Sequence, residues 1–122
     1  EKLKDEVVKL GVHKGVRNSV ILDRDGEYLA DFSDANGLSR RQFCELVNGI
    51  RDTADDASRR MDTGALVRAE IEGPFGSLTL TRVRSLTIAI LYEEPLRPDR
   101  VWEILQDFVA RNLTNRKEVA VA

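Results

Sequence analysis

The chain has 122 residues, 42% of them hydrophobic and 33% charged, with a formal net charge of −2. That length suits one domain with one real core, and the apolar content excludes a disordered chain. Basic and acidic residues are interspersed along the whole length and never form the basic stripe that phosphate neutralisation needs, so no nucleic-acid partner is expected.

Leu3, Val7 and Leu10 recur at helical spacing and Gly11 stops them, predicting a short first helix. Asn18 to Leu22 reads as a strand and Glu27 to Phe32 as its partner. Asp25-Gly26 between them is a hairpin signal, because glycine accepts the positive φ of such a turn. The segment from Ser39 to Met61 carries a full helix signature. Ser39 and Gln42 form a capping box, Leu38 and Phe43 a hydrophobic staple. Phe43, Leu46, Val47, Ile50, Ala54, Ala57 and Met61 fall on one stripe, and Gly64 is placed to end the helix.

Three strands are predicted next. Ala65 to Glu72 alternates, with Val67, Ala69 and Ile71 on one side and Arg68, Glu70 and Glu72 on the other. Gly73-Pro74-Phe75-Gly76 is turn chemistry. Ser77 to Arg84 sets Leu78 and Leu80 against Thr79 and Thr81; a turn without glycine follows at Arg84-Ser85, and Leu86 to Tyr92 is apolar on both parities. Pro98 then opens a helix with Val101, Ile104, Leu105, Phe108 and Leu113 on one face. Residues 1–113 are expected to form a single domain and 114–122 a loose tail.

This order, α-β-β-α-β-β-β-α, predicts an α+β fold of three α/β/α layers. Strands apolar on both faces must be covered on both sides, so the first and fifth are central. The alternating second and third are edges, giving an antiparallel sheet of order 2-1-5-4-3. The long helix is expected on one face and the terminal helices on the other.

Candidate chemistry is sparse. Val20-Ile21-Leu22-Asp23-Arg24-Asp25-Gly26 resembles the nucleophile loop of the haloacid-dehalogenase phosphohydrolases, in which paired carboxylates attack phosphorus and hold magnesium. Glu27 stands where that pattern has threonine, no strand-end lysine follows, and the chain is short for a doubly wound sheet. A hairpin turn with solvated aspartates is the better reading. His13, the one histidine, and Cys44, the one cysteine, make neither a nucleophile–base pair nor a zinc set. Cys44 reads as a small buried hydrophobe and Trp102 as packing at the edge of the core. No enzymatic activity and no cofactor or metal are expected. No apolar run reaches the roughly 18 residues of a membrane span and no leader segment is evident, which predicts a cytoplasmic protein without membrane insertion.

The run Gly15-Val16-Arg17-Asn18-Ser19-Val20-Ile21-Leu22-Asp23-Arg24-Asp25-Gly26-Glu27-Tyr28-Leu29-Ala30 resembles the opening hairpin of the roadblock (dynein light-chain) family, whose pattern there is "gv.g.vvvdrdG..la". The long helix, then Ala69-Glu70-Ile71-Glu72-Gly73-Pro74-Phe75-Gly76, then Ser77-Leu78-Thr79-Leu80-Thr81-Arg82-Val83 continue the likeness across roughly residues 3–113. The helix from Pro98 is longer than in minimal members.

The resemblance implies a roadblock/profilin-like fold. It also implies a homodimer, or a pair with a related roadblock protein, joined through the third strands: Leu66, Val67, Arg68, Ala69, Glu70 and Ile71. The two long helices would lie antiparallel across the joined sheet. It further implies that the protein regulates or scaffolds a small Ras-like GTPase docked on those helices, at Arg40, Arg41, Glu45, Asn48, Asp52 and Arg59. The rival reading is a small-molecule sensor of the PAS or GAF kind, which would need an internal pocket with polar groups reaching into the core.

Overall fold

A computed structural model describes residues 2–113; the tail expected over 114–122 lies outside the described residues. The elements are α1 (Lys2–Leu10), β1 (Val16–Leu22), β2 (Tyr28–Ser33), α2 (Arg40–Arg60), β3 (Arg68–Gly73), β4 (Gly76–Val83), β5 (Leu86–Tyr92) and α3 (Pro98–Asn112). The strands form one antiparallel sheet in the order β2-β1-β5-β4-β3, as the sequence predicts.

Strand alternation splits the apolar side chains into two layers. Ile21, Ile88 and Ile90 point to α1 and α3, where Leu3, Val7, Val101, Leu105 and Phe108 close over them. Val20, Leu22, Leu78, Leu80 and Ala89 point to the other face, under Phe43 and Val47 of α2. β1 and β5 are apolar on both parities because each feeds both layers.

The capping box of α2 is formed: the Gln42 N–H donates to Ser39 Oγ at 3.2 Å, and the Ser39 N–H donates to Gln42 Oε1 at 3.3 Å. Leu38 packs against the same apolar layer as Phe43. The helix stops at Arg60, before the position Gly64 suggested, and Asp62 at φ 59° turns the chain first. Asn18 holds the β2–α2 connection from within the core. It is fully buried, its Nδ2 donates to Ser33 Oγ (3.0 Å) and the Leu38 carbonyl (2.8 Å), and its Oδ1 accepts from the Leu38 N–H (2.8 Å). Its polar groups are thereby matched without water.

The strand starts depart most from expectation at β1, which begins at Val16 and not Asn18, and at β3. β3 begins at Arg68 and not Ala65, because the Leu66 N–H donates to Asp55 Oδ1 at 2.8 Å and ties the lead-in to α2. Leu66 and Val67 therefore precede the strand, although the Val67 carbonyl already accepts from the Arg82 N–H at 2.9 Å. The β4–β5 turn lacks glycine, and Arg84 itself adopts φ 57°, a region few side chains enter.

Candidate interaction surface

The apolar stripe of α2 is continuous in sequence but not in burial. Phe43 and Val47 are buried, whereas Leu46 is 44% exposed and Met61 67%. The first half of the helix is anchored over the sheet. From Leu46 to Ala57 the stripe instead forms one wall of an open apolar groove, with Leu46, Ile50, Ala54 and Ala57 facing Ala69 and Ile71 of β3. Val67 and Ile71 stand exposed beside it, at 69% and 49%.

The floor of this groove is a sheet margin. Among the described residues, β3 pairs with β4 alone. The Val67 carbonyl accepts from the β4 side, and in an antiparallel pair such inward-facing residues alternate with outward-facing ones. Val67, Ala69 and Ile71 therefore turn their backbone groups to β4, and Arg68, Glu70 and Glu72 turn theirs outward. Apolar side chains on an open edge, with unpaired donors and acceptors, are a template for another chain.

The outer face of α2 is a set of ion pairs. Arg41 and Glu45 pair at 3.2 Å, Arg51 and Asp52 at 3.1 Å, and Arg59 and Asp55 at 2.9 Å. Arg40 stacks on the Tyr28 ring, 4.1 Å from its centroid, and lies 3.7 Å from Asp31. Arg40, Arg41, Glu45, Asp52 and Arg59 are exposed, as their expected role requires. Asn48 is not. It is half-buried and its Nδ2 donates to the Gly26 carbonyl at 3.0 Å, so it braces the β1–β2 hairpin and leaves the outer face to the charged residues. Gly26 (φ 84°) admits no Cβ there, since the Asn48 amide occupies that space.

Asp55 joins this surface to the strand edge. Beyond Leu66, its carboxylate accepts from Arg59 and from Arg82 Nη1 (3.4 Å). The Leu66 N–H above all, then Arg59, holds its carboxyl below the ordinary value of 3.8. A lowered folded-state value means the stabilisation is complete at neutral pH and is lost as pH falls through 3.8 towards that lower value. Thermal melts of parent and Asp55→Asn should therefore differ most near neutrality and converge in acid, and a gap that widened with acidification would contradict this role.

Solved structures share this architecture. Myxococcus xanthus MglB superposes with a TM-score of 0.77 at 13% identity, over 89% of this chain and 89% of that one. The Roadblock/LC7 domain from Streptomyces avermitilis gives 0.71 at 16% identity, over 90% and 91%. This is the roadblock fold. The gliding protein MglB of Thermus thermophilus has it too, with a TM-score of 0.72 at 13% identity over 88% of this chain and 83% of that one. No family model matches the chain, and no curated protein sequence does.

Within the roadblock fold the remaining candidates find places. Asp23 Oδ1 accepts from the Asp25 and Glu27 N–H groups at 2.8 and 3.0 Å, the geometry of a hairpin turn. Cys44 is half-buried against the α2 layer, where burial pushes its thiol up. His13 lies half-buried in the loop after α1. Trp102 packs at the rim of the other layer, and Arg68 lies 4.2 Å above its ring centroid, linking α3 to the edge strand. The side chains over each face of the sheet are contiguous apolar clusters, which lends nothing to the sensor reading. Among the described residues, no helix is long and apolar enough to cross a membrane.

Sequence reasoning missed Asn18, the Asp55–Leu66 tie and the Arg68–Trp102 contact. A lone asparagine opening an apolar strand was a usable signal for the first. The other two join residues far apart in sequence and leave no periodic trace.

Proposed function

We propose that this chain is a non-catalytic, dimeric interaction module that regulates or scaffolds a small Ras-like GTPase. One observation carries the reading: an exposed apolar groove on α2 runs without a break into an unpaired strand edge. A second copy brought edge to edge would satisfy the outward backbone groups of β3 and cover Leu46, Ile50, Val67 and Ile71 together. The two α2 helices would then lie side by side, presenting a doubled array of Arg40, Arg41, Glu45, Asp52 and Arg59. The likeness to roadblock structures that include a gliding protein supports the same reading, as does the family likeness of the Gly15–Ala30 hairpin.

The partner surface has a direct test. Reversing charge at Arg41 and Asp52 together breaks an exposed pair with Glu45 and a pair with Arg51, whose side chain is 14% exposed, so the protein should stay folded with a modestly lowered melting temperature. Binding to the small Ras-like GTPase encoded nearest its gene, followed by calorimetry, should weaken at least tenfold, the scale of about 1.4 kcal/mol. Unchanged affinity would remove this face from the proposal.

A further inference from the structure

The β3 edge holds more information than its openness. Its outward backbone groups belong to Arg68, Glu70 and Glu72, and the side chains of these residues share the sheet face that bears α3. Ala69 and Ile71 share the face that bears α2. A two-fold axis normal to a joined sheet keeps each face on its own side, so directly opposed residues must share a face. Symmetric antiparallel pairing is then restricted to registers centred on a residue.

These registers differ sharply in chemistry. Centred on Arg68, the pairing sets arginine against arginine. Centred on Glu70, it sets Arg68 against Glu72 twice but also glutamate against glutamate at the axis. Centred on Ile71, it sets Glu70 against Glu72 twice and finds Arg68 no acid. Centred on Ala69, it sets Arg68 against Glu70 twice, with no like charges opposed. The same register places Val67 opposite Ile71 on the α2 face, covering the two most exposed apolar side chains of the edge with each other. Alanine at the axis keeps the centre small beneath the apolar α2 stripe. Opposite charges across a ladder favour a register and like charges disfavour it.

We infer that two copies of this chain pair through β3 in the single register that places Ala69 on the two-fold axis, with Arg68 of each copy opposite Glu70 of the other and Val67 opposite Ile71. This rests on the dimeric reading proposed above and specifies it. Within one chain Arg68 and Glu70 approach to 3.6 Å, with side chains 40% and 34% exposed, so a second copy can exchange this intrachain pair for two pairs across the seam. The Trp102 ring beneath Arg68 holds the guanidinium at the margin of the sheet.

Cross-linking reads the register directly. Ala69 turns its backbone groups inward, so the axial pair is of the non-hydrogen-bonded type, with Cα atoms about 4.5 Å apart. That lies within the roughly 4.4–6.8 Å a disulfide spans. In a Cys44→Ser background, Ala69→Cys should give a covalent dimer on mild oxidation. Glu70→Cys should not, because its symmetry mate sits on a diagonal about 7–8 Å away. Light scattering on the Cys44→Ser parent separates the two layers of inference. A dimeric parent that cross-links through position 70 and not 69 overturns the register and leaves the dimer standing. A parent that is monomeric at high concentration overturns both.

A charge exchange gives a second reading that does not depend on cysteine. Arg68→Glu should weaken self-association, because each dimer then opposes two pairs of like charges. Arg68→Glu combined with Glu70→Arg in the same chain should restore it. Were Arg68 needed only to stack on Trp102, the double variant would stay as weak as the single one, and that result would overturn the register.

Discussion

Glutamate in place of Ile71 should turn the proposed dimer into a monomer without unfolding the chain. Ile71 is 49% exposed on the edge strand, so a single copy tolerates a charged side chain there by leaving it in water. A dimer cannot, because the groove against Leu46, Ile50 and Ala54 closes over it. Covering the exposed half of an isoleucine is worth about 1 kcal/mol, and trapping a carboxylate in the same place costs more. Symmetry applies both terms twice, so the loss should reach about 4 kcal/mol or more per dimer, which is roughly a thousandfold or more in dissociation constant. Sedimentation across a concentration series would measure it. Met61→Glu is the matched control: Met61 lies on the same sequence stripe, is 67% exposed, and stands clear of the groove-lining residues. It should associate like the parent. If both variants associate like the parent, the groove is not an interface.

That contrast marks how far sequence reading reaches here. The two-sided apolarity of Val20–Leu22 and Leu86–Leu91 was enough to place β1 and β5 at the centre of the sheet, because only doubly covered strands need it. Ser39 and Gln42 announced the start of α2 through local hydrogen bonding, which sequence records faithfully. The stripe from Phe43 to Met61 predicted a helix face correctly and its burial only in part. Periodicity says which side chains share a face, not what stands opposite them. Asn48 shows the same limit: it falls among charged residues in sequence, yet the Gly26 carbonyl of a hairpin lies within its reach and draws it inward. The start of β3 was missed for a similar reason, since the Asp55 carboxylate that claims the Leu66 N–H comes from another element.

The division of the α2 stripe into an anchored half and an open half predicts opposite consequences for neighbouring residues. Phe43 is 1% exposed and, with Val47, fastens the helix to Val20, Leu22, Leu78 and Leu80. Phe43→Ala should cost about 3–5 kcal/mol, the lost transfer energy plus that of the cavity left behind. Against a total stability of roughly 5–15 kcal/mol this is large, and the melting temperature should fall by roughly 10–20 °C. Leu46, three residues on and 44% exposed, has less to lose within one copy; Leu46→Ala should act mainly on association. Melting the two variants at several protein concentrations separates the effects, since only a loss at the dimer interface makes the deficit depend on concentration. Phe43→Ala should be low-melting at every dilution. Leu46→Ala should approach the parent as dilution dissociates both, and a concentration-independent deficit there would assign the open half of the stripe to the core of the single chain.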